Sequence, residues 1–326
     1  MELIHADYNR TEIQSVQVFT VWDLVSGLSH EYAANNWQLN VNEEVWNALP
    51  ILKGHFLFEP GTEWGGRVEG VNKVGTEIQL SGPTWRGLLS RKIISPPSGQ
   101  AYRTITAQDA NVAIATLVGT SLGDLVKVKS ELAGVNVSGQ FRYANLLGGI
   151  HSMLNQYGLR LAVEYIDRTV WLSAVQIQDL SDENELSQDY SVDISAEDNE
   201  AEAYNHVIAL GPGELAARQV IHLYRHPDGS ISSTPLPEGI EDKQVVLDYP
   251  NAESTEELIK SATEKLIECA PIKKIELAIT ENLALNLGDL VGGKDYVTGL
   301  AIVQPVTQII RRVDSTGDKV EYKVGG

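Results

Sequence analysis

Short β-branched and aromatic segments, each broken by a Gly or Pro turn signal, recur through both ends of this chain and confine it to a fold dominated by sheet. Gln17-Val18-Phe19-Thr20-Val21-Trp22 and His55-Phe56-Leu57-Phe58 are of this kind, the second followed by Glu59-Pro60-Gly61. Arg67-Val68-Glu69-Gly70-Val71 and Glu77-Ile78-Gln79-Leu80 flank Gly75-Thr76 and predict a hairpin. Leu88-Leu89 and Ile93-Ile94 predict a short helical turn that stops at Pro96-Pro97, the first expected domain boundary.

The period changes in the middle. Thr106 with Asp109 marks a capped start, and Ala110, Ala113, Ile114 and Leu117 follow at helical spacing. Leu146, Leu147, Ile150, Met153 and Leu154 share a second helical face that ends at Gly158. Residues 159–166 and 169–177 alternate around Asp167-Arg168 as a hairpin does. Ten carboxylates and no Lys or Arg fall between Asp179 and Glu202, which predicts a solvated acidic loop or linker. Sheet returns with Val220 to Tyr224, Gln244 to Tyr249 and a last hairpin, residues 308–313 and 319–324. Ser254 and Glu257 form a capping box before Leu258, Ala262, Leu266 and Cys269, and Pro271 ends that helix. These signals predict an N-terminal β-rich domain over 1–98 and a small α+β domain over 99–178. An acidic linker over 179–204 and a C-terminal β-rich domain with one helix over 205–326 complete the expected order. The fold class is α+β and β-rich.

Charge narrows the function. Forty-four acidic and 25 basic residues give a net charge of −19, and no basic stripe stands out, so stable nucleic-acid binding is not expected. The opening residues have neither a basic nor an apolar leader segment, and no apolar run approaches the roughly 20 residues of a spanning helix. Membrane insertion is therefore not expected, and synthesis in a cytoplasm is. One cysteine, Cys269, excludes an internal disulfide or a thiolate cluster.

No constellation of residues announces catalysis. Gly119-Thr120-Ser121-Leu122-Gly123 has the spacing of a hydrolase nucleophile elbow, but a helix leads into it where the elbow needs a strand. His222 and His226 sit four apart on a strand-like segment, about 13 Å, too far for one metal. Gly211-Pro212-Gly213-Glu214 and Gly292-Gly293-Lys294-Asp295 lack the rest of a phosphate loop and read as tight turns. The acidic run beginning at Asp182 has Ser187 where a calcium loop needs glycine. No catalytic residue, cofactor or metal is expected.

Three stretches carry a resemblance. Gly70 to Pro97 leads from a hairpin into Trp85-Arg86-Gly87-Leu88-Leu89-Ser90-Arg91-Lys92-Ile93-Ile94. Leu287-Gly288-Asp289-Leu290-Val291-Gly292-Gly293-Lys294-Asp295 continues to Thr298-Gly299 and Pro305-Val306-Thr307. Asn205-His206-Val207-Ile208 precedes Gly211-Pro212-Gly213-Glu214-Leu215 and Arg218. Together they resemble the tail-hub proteins of phages infecting Gram-positive bacteria, a family of siphovirus tail-tip and prophage tail proteins. The resemblance implies two β-barrel-like tube domains with smaller α+β insertions, closing as a homotrimeric ring at the virion tail tip after assembly in the host cytoplasm. It also implies contact with the distal tail protein, the tape measure protein and other baseplate or receptor-binding proteins. Some relatives carry a wall-degrading domain, which this sequence does not show. An electronegative bore lets DNA pass without holding it. The acidic segment, with Asp182, Glu183, Glu185, Asp189 and Asp193, is expected to line or border that channel. The alternative is a host-surface module for carbohydrate or receptor, using some of the six Trp and twelve Tyr as stacking platforms.

Overall fold

The computed structural model describes residues 2–48, 50–181, 185–186, 192–199, 203–279, 284–294 and 301–325; for 185–186, 192–199, 272–279, 293–294 and 301–302 it describes the backbone. In chain order, β1 (Ile4–Ala6), β2 (Glu12–Ser15), β3 (Val21–Gly27) and β4 (Asn36–Asn42) precede the helix α1 (Glu43–Ala48). Then come β5 (Phe56–Phe58), β6 (Gly65–Arg67), β7 (Gly70–Val74), β8 (Glu77–Pro83), α2 (Trp85–Leu89) and β9 (Ile93–Ile94). The middle holds β10 (Arg103–Asp109), α3 (Ala110–Val118), β11 (Val126–Val128), β12 (Asn136–Phe141), β13 (Ala144–Asn145) and α4 (Leu146–Asn155). A hairpin of β14 (Leu159–Ile166) and β15 (Thr169–Gln176) leads to β16 (Glu185–Leu186) and β17 (Val192–Asn199). Next are β18 (His206–Leu210), β19 (Val220–Arg225), β20 (Ile231–Ser232), β21 (Gln244–Asp248) and α5 (Thr255–Glu268). β22 (Ile272–Ile279), β23 (Leu290–Lys294), β24 (Ala301–Asp314) and β25 (Gly317–Val324) close the chain.

Contacts gather the described chain into two compact units. One comprises residues 1–194 and 275–326, and the other is residues 195–274. The first unit joins segments that local sequence signals keep apart. Its largest sheet has ten strands, running β17-β22-β25-β24-β3-β4-β8-β7, with β23 pairing β24 and β16 off that path. Alternation explains its core. Along β3 every second residue is buried, placing Trp22 and Leu24 against Trp37, Leu39 and Val41 of β4 and Leu80 of β8. The Trp22 and Trp37 rings lie 5.3 Å apart. A four-stranded sheet, β2-β1-β5-β6, meets β8 through an isolated bridge between Gly66 and Thr84. This crossing needs glycine. A Cβ on Gly66 would stand 2.0 Å from the Pro83 carbonyl oxygen, and one on Gly82 would stand 1.8 Å from that of Arg67.

The second core of this unit lies between helices and sheet. Ile114 and Leu117 of α3, with Leu147, Ile150 and Leu154 of α4, pack on Leu161, Val163, Val170 and Leu172 of the β14–β15 hairpin. The hairpin turn has positive φ at both Asp167 (48°) and Arg168 (66°), the primed-turn geometry that matches strand twist. The start expected at Thr106 with Asp109 falls three residues later: Thr106 lies in β10, and Asp109 itself caps α3 by accepting from Asn111 N.

The second unit is a four-stranded sheet, β20-β19-β18-β21, with α5 laid on one face. Leu258, Ala262 and Leu266 of the helix meet Val207, Ala209 and Leu223 of the sheet. Ser254 caps the helix by accepting from Glu257 N, and Glu257 in return accepts from Glu253 N and the Tyr249 hydroxyl.

Five further expectations change. Among the described residues the sheets are open and do not close into barrels, because the edge strands β7 and β17 of the large sheet do not pair with each other; alternation reports which face is buried and is silent on closure. Within the acidic stretch, residues 185–186 and 192–199 are strands, with β17 at the edge of the large sheet, where a loop was expected. The strand expected over 17–22 starts at Val21, and Ile93–Ile94 pairs with β13 as strand and not helical turn. Gly292 and Gly293 belong to β23 and not to a turn. A Cβ at Gly292 would stand 2.7 Å from the Ser181 carbonyl oxygen, so the glycine lets the neighbouring backbone approach.

Candidate functional site

Residues from two of the three stretches that carried the sequence resemblance turn out to be pins of the first unit. Trp85, Arg86, Gly87, Leu88 and Leu89 of α2 are all buried. Arg86 donates through Nε to Glu63 Oε2 at 3.0 Å and through Nη2 to the Leu161 carbonyl at 2.9 Å. Gly87 stands where a Cβ would lie 2.3 Å from the Asn35 carbonyl oxygen. Asp289, fully buried, accepts from Arg160 Nε (2.9 Å), Gln178 N (3.1 Å), Asn286 N (3.1 Å) and Asn286 Nδ2 (2.9 Å). Four donors satisfy both oxygens, as burial of a carboxylate requires. Gly288, at φ 91°, sets this loop beside Arg160.

These pins border a cleft of about 950 Å³ whose walls include Glu63, Trp64, Arg86, Arg160, Arg311 and Asp318. Arg311 is the centre of its charge network. Its guanidinium bonds Glu59 and, through Nε (3.0 Å) and Nη2 (2.7 Å), the two oxygens of Asp318, and it lies 5.6 Å from the Trp64 ring centroid. Burial alone would lower the Arg311 pKa, but the hydrogen bonds that it donates to Asp318 and Glu59 outweigh this and raise it. The Arg311 hydrogen bond holds the Asp318 carboxyl below its ordinary value. Every guanidinium here is matched to a carboxylate. Such a cleft ties strands together and has no surplus charge with which to seize an anion.

Two histidine pairs form that the sequence did not show. His5 Nε2 lies 2.8 Å from His55 Nδ1, both rings buried. Leu52 N donates to the same His55 nitrogen at 3.4 Å, which makes it the acceptor and His5 Nε2 the donor. In the second unit Asp242 Oδ1 lies 2.8 Å from His206 Nδ1, and His206 Nε2 lies 2.8 Å from His222 Nδ1. The Tyr224 ring stacks on His206 at 4.1 Å. Strand pairing explains the meeting, since β18 and β19 set His222 opposite Ile208, diagonal to His206. His226, which the sequence places too far along the strand to share a metal with His222, turns to Ser232 Oγ at 3.0 Å. Among the described residues, no three His, Cys, Asp or Glu side chains converge as a metal site would.

The Ser121 hydroxyl donates to the Val118 carbonyl at 2.7 Å in the turn that ends α3, so the elbow-like spacing is a helix terminus. Of the five carboxylates assigned to a channel, Asp182, Glu183 and Asp189 lie outside the described residues. Glu185 and Asp193 are placed on β16 and β17 by their backbone. No helix among the described residues is long and apolar enough to cross a membrane.

No protein-family model matches this sequence, and no curated protein matches it. The architecture is nevertheless a known one: it is the fold of phage tail and baseplate proteins. A 43 kDa tail protein of prophage MuSo2 from Shewanella oneidensis superposes with a TM-score of 0.63 at 14% identity, over 99% of this chain and 98% of that one. A prophage tail protein from Listeria monocytogenes gives 0.56 at 12% identity, over 99% and 94%. A chain of the phage P2 baseplate, in its activated conformation with Ca, gives 0.51 at 12% identity, over 100% and 99%. At these identities the likeness is one of fold.

Proposed function

We propose that this chain is a structural component of a phage tail, placed at the tail tip or baseplate, where it forms a homotrimeric hub around the path of the DNA. The observation that carries the reading is coverage. The fold is matched end to end by a prophage tail protein, over 99% of this chain and 98% of the other, so the likeness is not confined to one small module. The residues support the same reading by what they do. The charged groups of the cleft are spent on each other, which suits a rigid load-bearing subunit better than a catalyst.

Open sheet edges give such a subunit a way to assemble. Strands that are unpaired on one side offer N–H and C=O groups to a neighbouring copy, and a ring is completed between chains where no single chain closes it. Contacts with a distal tail protein, a tape measure protein and receptor-binding proteins belong to this proposal. So do a location at the virion tail tip and assembly in the host cytoplasm. The net charge of −19 suits a bore that a polyanion must traverse without sticking.

Light scattering of the purified chain tests the ring. A mass near three chains is expected, and a species that stays monomeric at high concentration, alone and with its tail partners, overturns it. For the channel, replacing Asp182, Glu183, Glu185, Asp189 and Asp193 with lysine should slow DNA ejection from assembled particles; ejection at the wild-type rate would remove these residues from the bore.

A further inference from the structure

We propose that the loop 211–218 and the adjoining rim of the second unit's sheet form a docking surface for a different protein of the tail, one presenting an apolar socket ringed by lysine and arginine. The proposal rests on the tail-component reading and deepens it by specifying one partner surface.

Leu215 is the starting point. It sits at the tip of the loop between β18 and β19, 96% exposed, with φ at +50°. A leucine gains nothing from water there, and an L side chain rarely adopts that backbone region. Strained conformations persist where the surroundings over-determine them, and they gather at working surfaces. This loop is over-determined. Gly211 N donates to the Gln219 carbonyl (2.8 Å), Gln219 N to that of Pro212 (2.9 Å) and Ala217 N to that of Glu214 (3.0 Å). Arg218 bonds the Gly211 carbonyl through Nε at 3.0 Å and pairs with Asp248 of β21. Gly213, at φ 108°, stands where a Cβ would meet the Ala217 carbonyl oxygen at 2.5 Å. The tip is held still with its apolar residue outward.

Apolar surface continues from the tip onto the sheet. Leu210 is in register with Val220 on one side and Asp248 on the other, at the end where β18 runs into the loop. Val220 is 47% and Val246 58% exposed, on the face opposite Ile221 and Val245, which pack toward α5.

Charge selects the occupant. Gln219 Nε2 donates to Thr255 Oγ1 at 2.9 Å, which ties the loop to the start of α5. Around it stand Glu214, Asp248, Glu253, Glu256 and Glu257, against Arg218, whose charge is already matched to Asp248. An apolar anchor inside a charged rim is the usual anatomy of a specific interface. A second copy of this chain would bring the same carboxylates to a patch-to-patch contact, or at any other face a chain of net charge −19, and nucleic acid is likewise repelled. A protein with a basic rim is complementary.

The test places a photo-cross-linking amino acid at position 215 in assembled tail particles, with position 132, exposed in the loop between β11 and β12 and on no sheet edge, as the control. The expected adduct joins this chain to another tail protein, at a peptide rich in Lys or Arg. An adduct between two copies of this chain, or a yield no higher than at position 132, overturns the proposal. Absence of the chain from particles overturns the tail reading and this surface with it. As a second arm, Leu215→Asp should leave the denaturation midpoint of the purified chain unchanged and lower incorporation of the cross-linked protein at least tenfold. Incorporation at the wild-type level would also overturn it.

Discussion

A buried charge is safe in a fold only while its partners remain, and Asp289 shows how many partners that takes. Its four donors come from β14, from the residues after β15 and from its own loop. Asp289→Ala would strand the Arg160 guanidinium, 13% exposed, and is expected to cost about 3 kcal/mol, read as a lower urea midpoint. A loss under about 0.5 kcal/mol would mean that solvent replaces the carboxylate without penalty. His5 sets an acid limit. Burial, and then the neighbouring His55 ring, holds its pKa down to about 4 against a smaller upward pull from Asp7. Between pH 6.5 and about 4 the unfolded chain binds a proton that the folded ring refuses, so stability falls as the pH drops through that window. The loss by pH 5 is on the order of 1–2 kcal/mol, allowing for solvent screening. His5→Gln should flatten the stability profile between pH 5 and 7; an unchanged slope would assign the acid sensitivity elsewhere.

At the scale of elements, the fold turns on places where two backbones nearly touch. Gly82→Ala would push a Cβ to 1.8 Å from the Arg67 carbonyl oxygen near the end of β8, and neither backbone can retreat without breaking a ladder. That variant should fail to fold, or lose more than about 3 kcal/mol, whereas Gly75→Ala, in an open turn, should lose only about 1 kcal/mol for its positive φ. Equal effects on a thermal melt would refute the crossing. Such crossings were not legible in the sequence, because each depends on residues distant along the chain. Local chemistry was legible: the Asp167–Arg168 turn and the Ser254–Glu257 box both fall where side chains dictate their own backbone, and the start of α3 was placed three residues early. β17 was not. Its carboxylates read as a loop, yet an edge strand satisfies its backbone through one neighbour and tolerates charge, which also blocks unwanted pairing. The pin at Asp289 was hidden likewise, its arginine lying 129 residues away, and the histidine pairs appear only once strand register is known.

For the molecule as a whole, a net charge of −19 opposes any assembly of identical copies. The proposed ring should therefore strengthen with salt, since the screening length falls from about 30 Å at 0.01 M to about 8 Å at 0.15 M. Sedimentation at 0.02 M and 0.3 M sodium chloride should show more trimer at the higher concentration, and the reverse order would mean that cross-subunit ion pairs hold the ring. The second unit has a further consequence. Its chain arrives and departs side by side, with Tyr204 N donating to the Cys269 carbonyl at 3.0 Å and Arg225 clasping both carbonyls, 204 and 269. Everything between those two residues is a cassette with adjacent ends. Recombination could delete it, or swap in a foreign module of any length, and the severed flanks would still be close enough to rejoin.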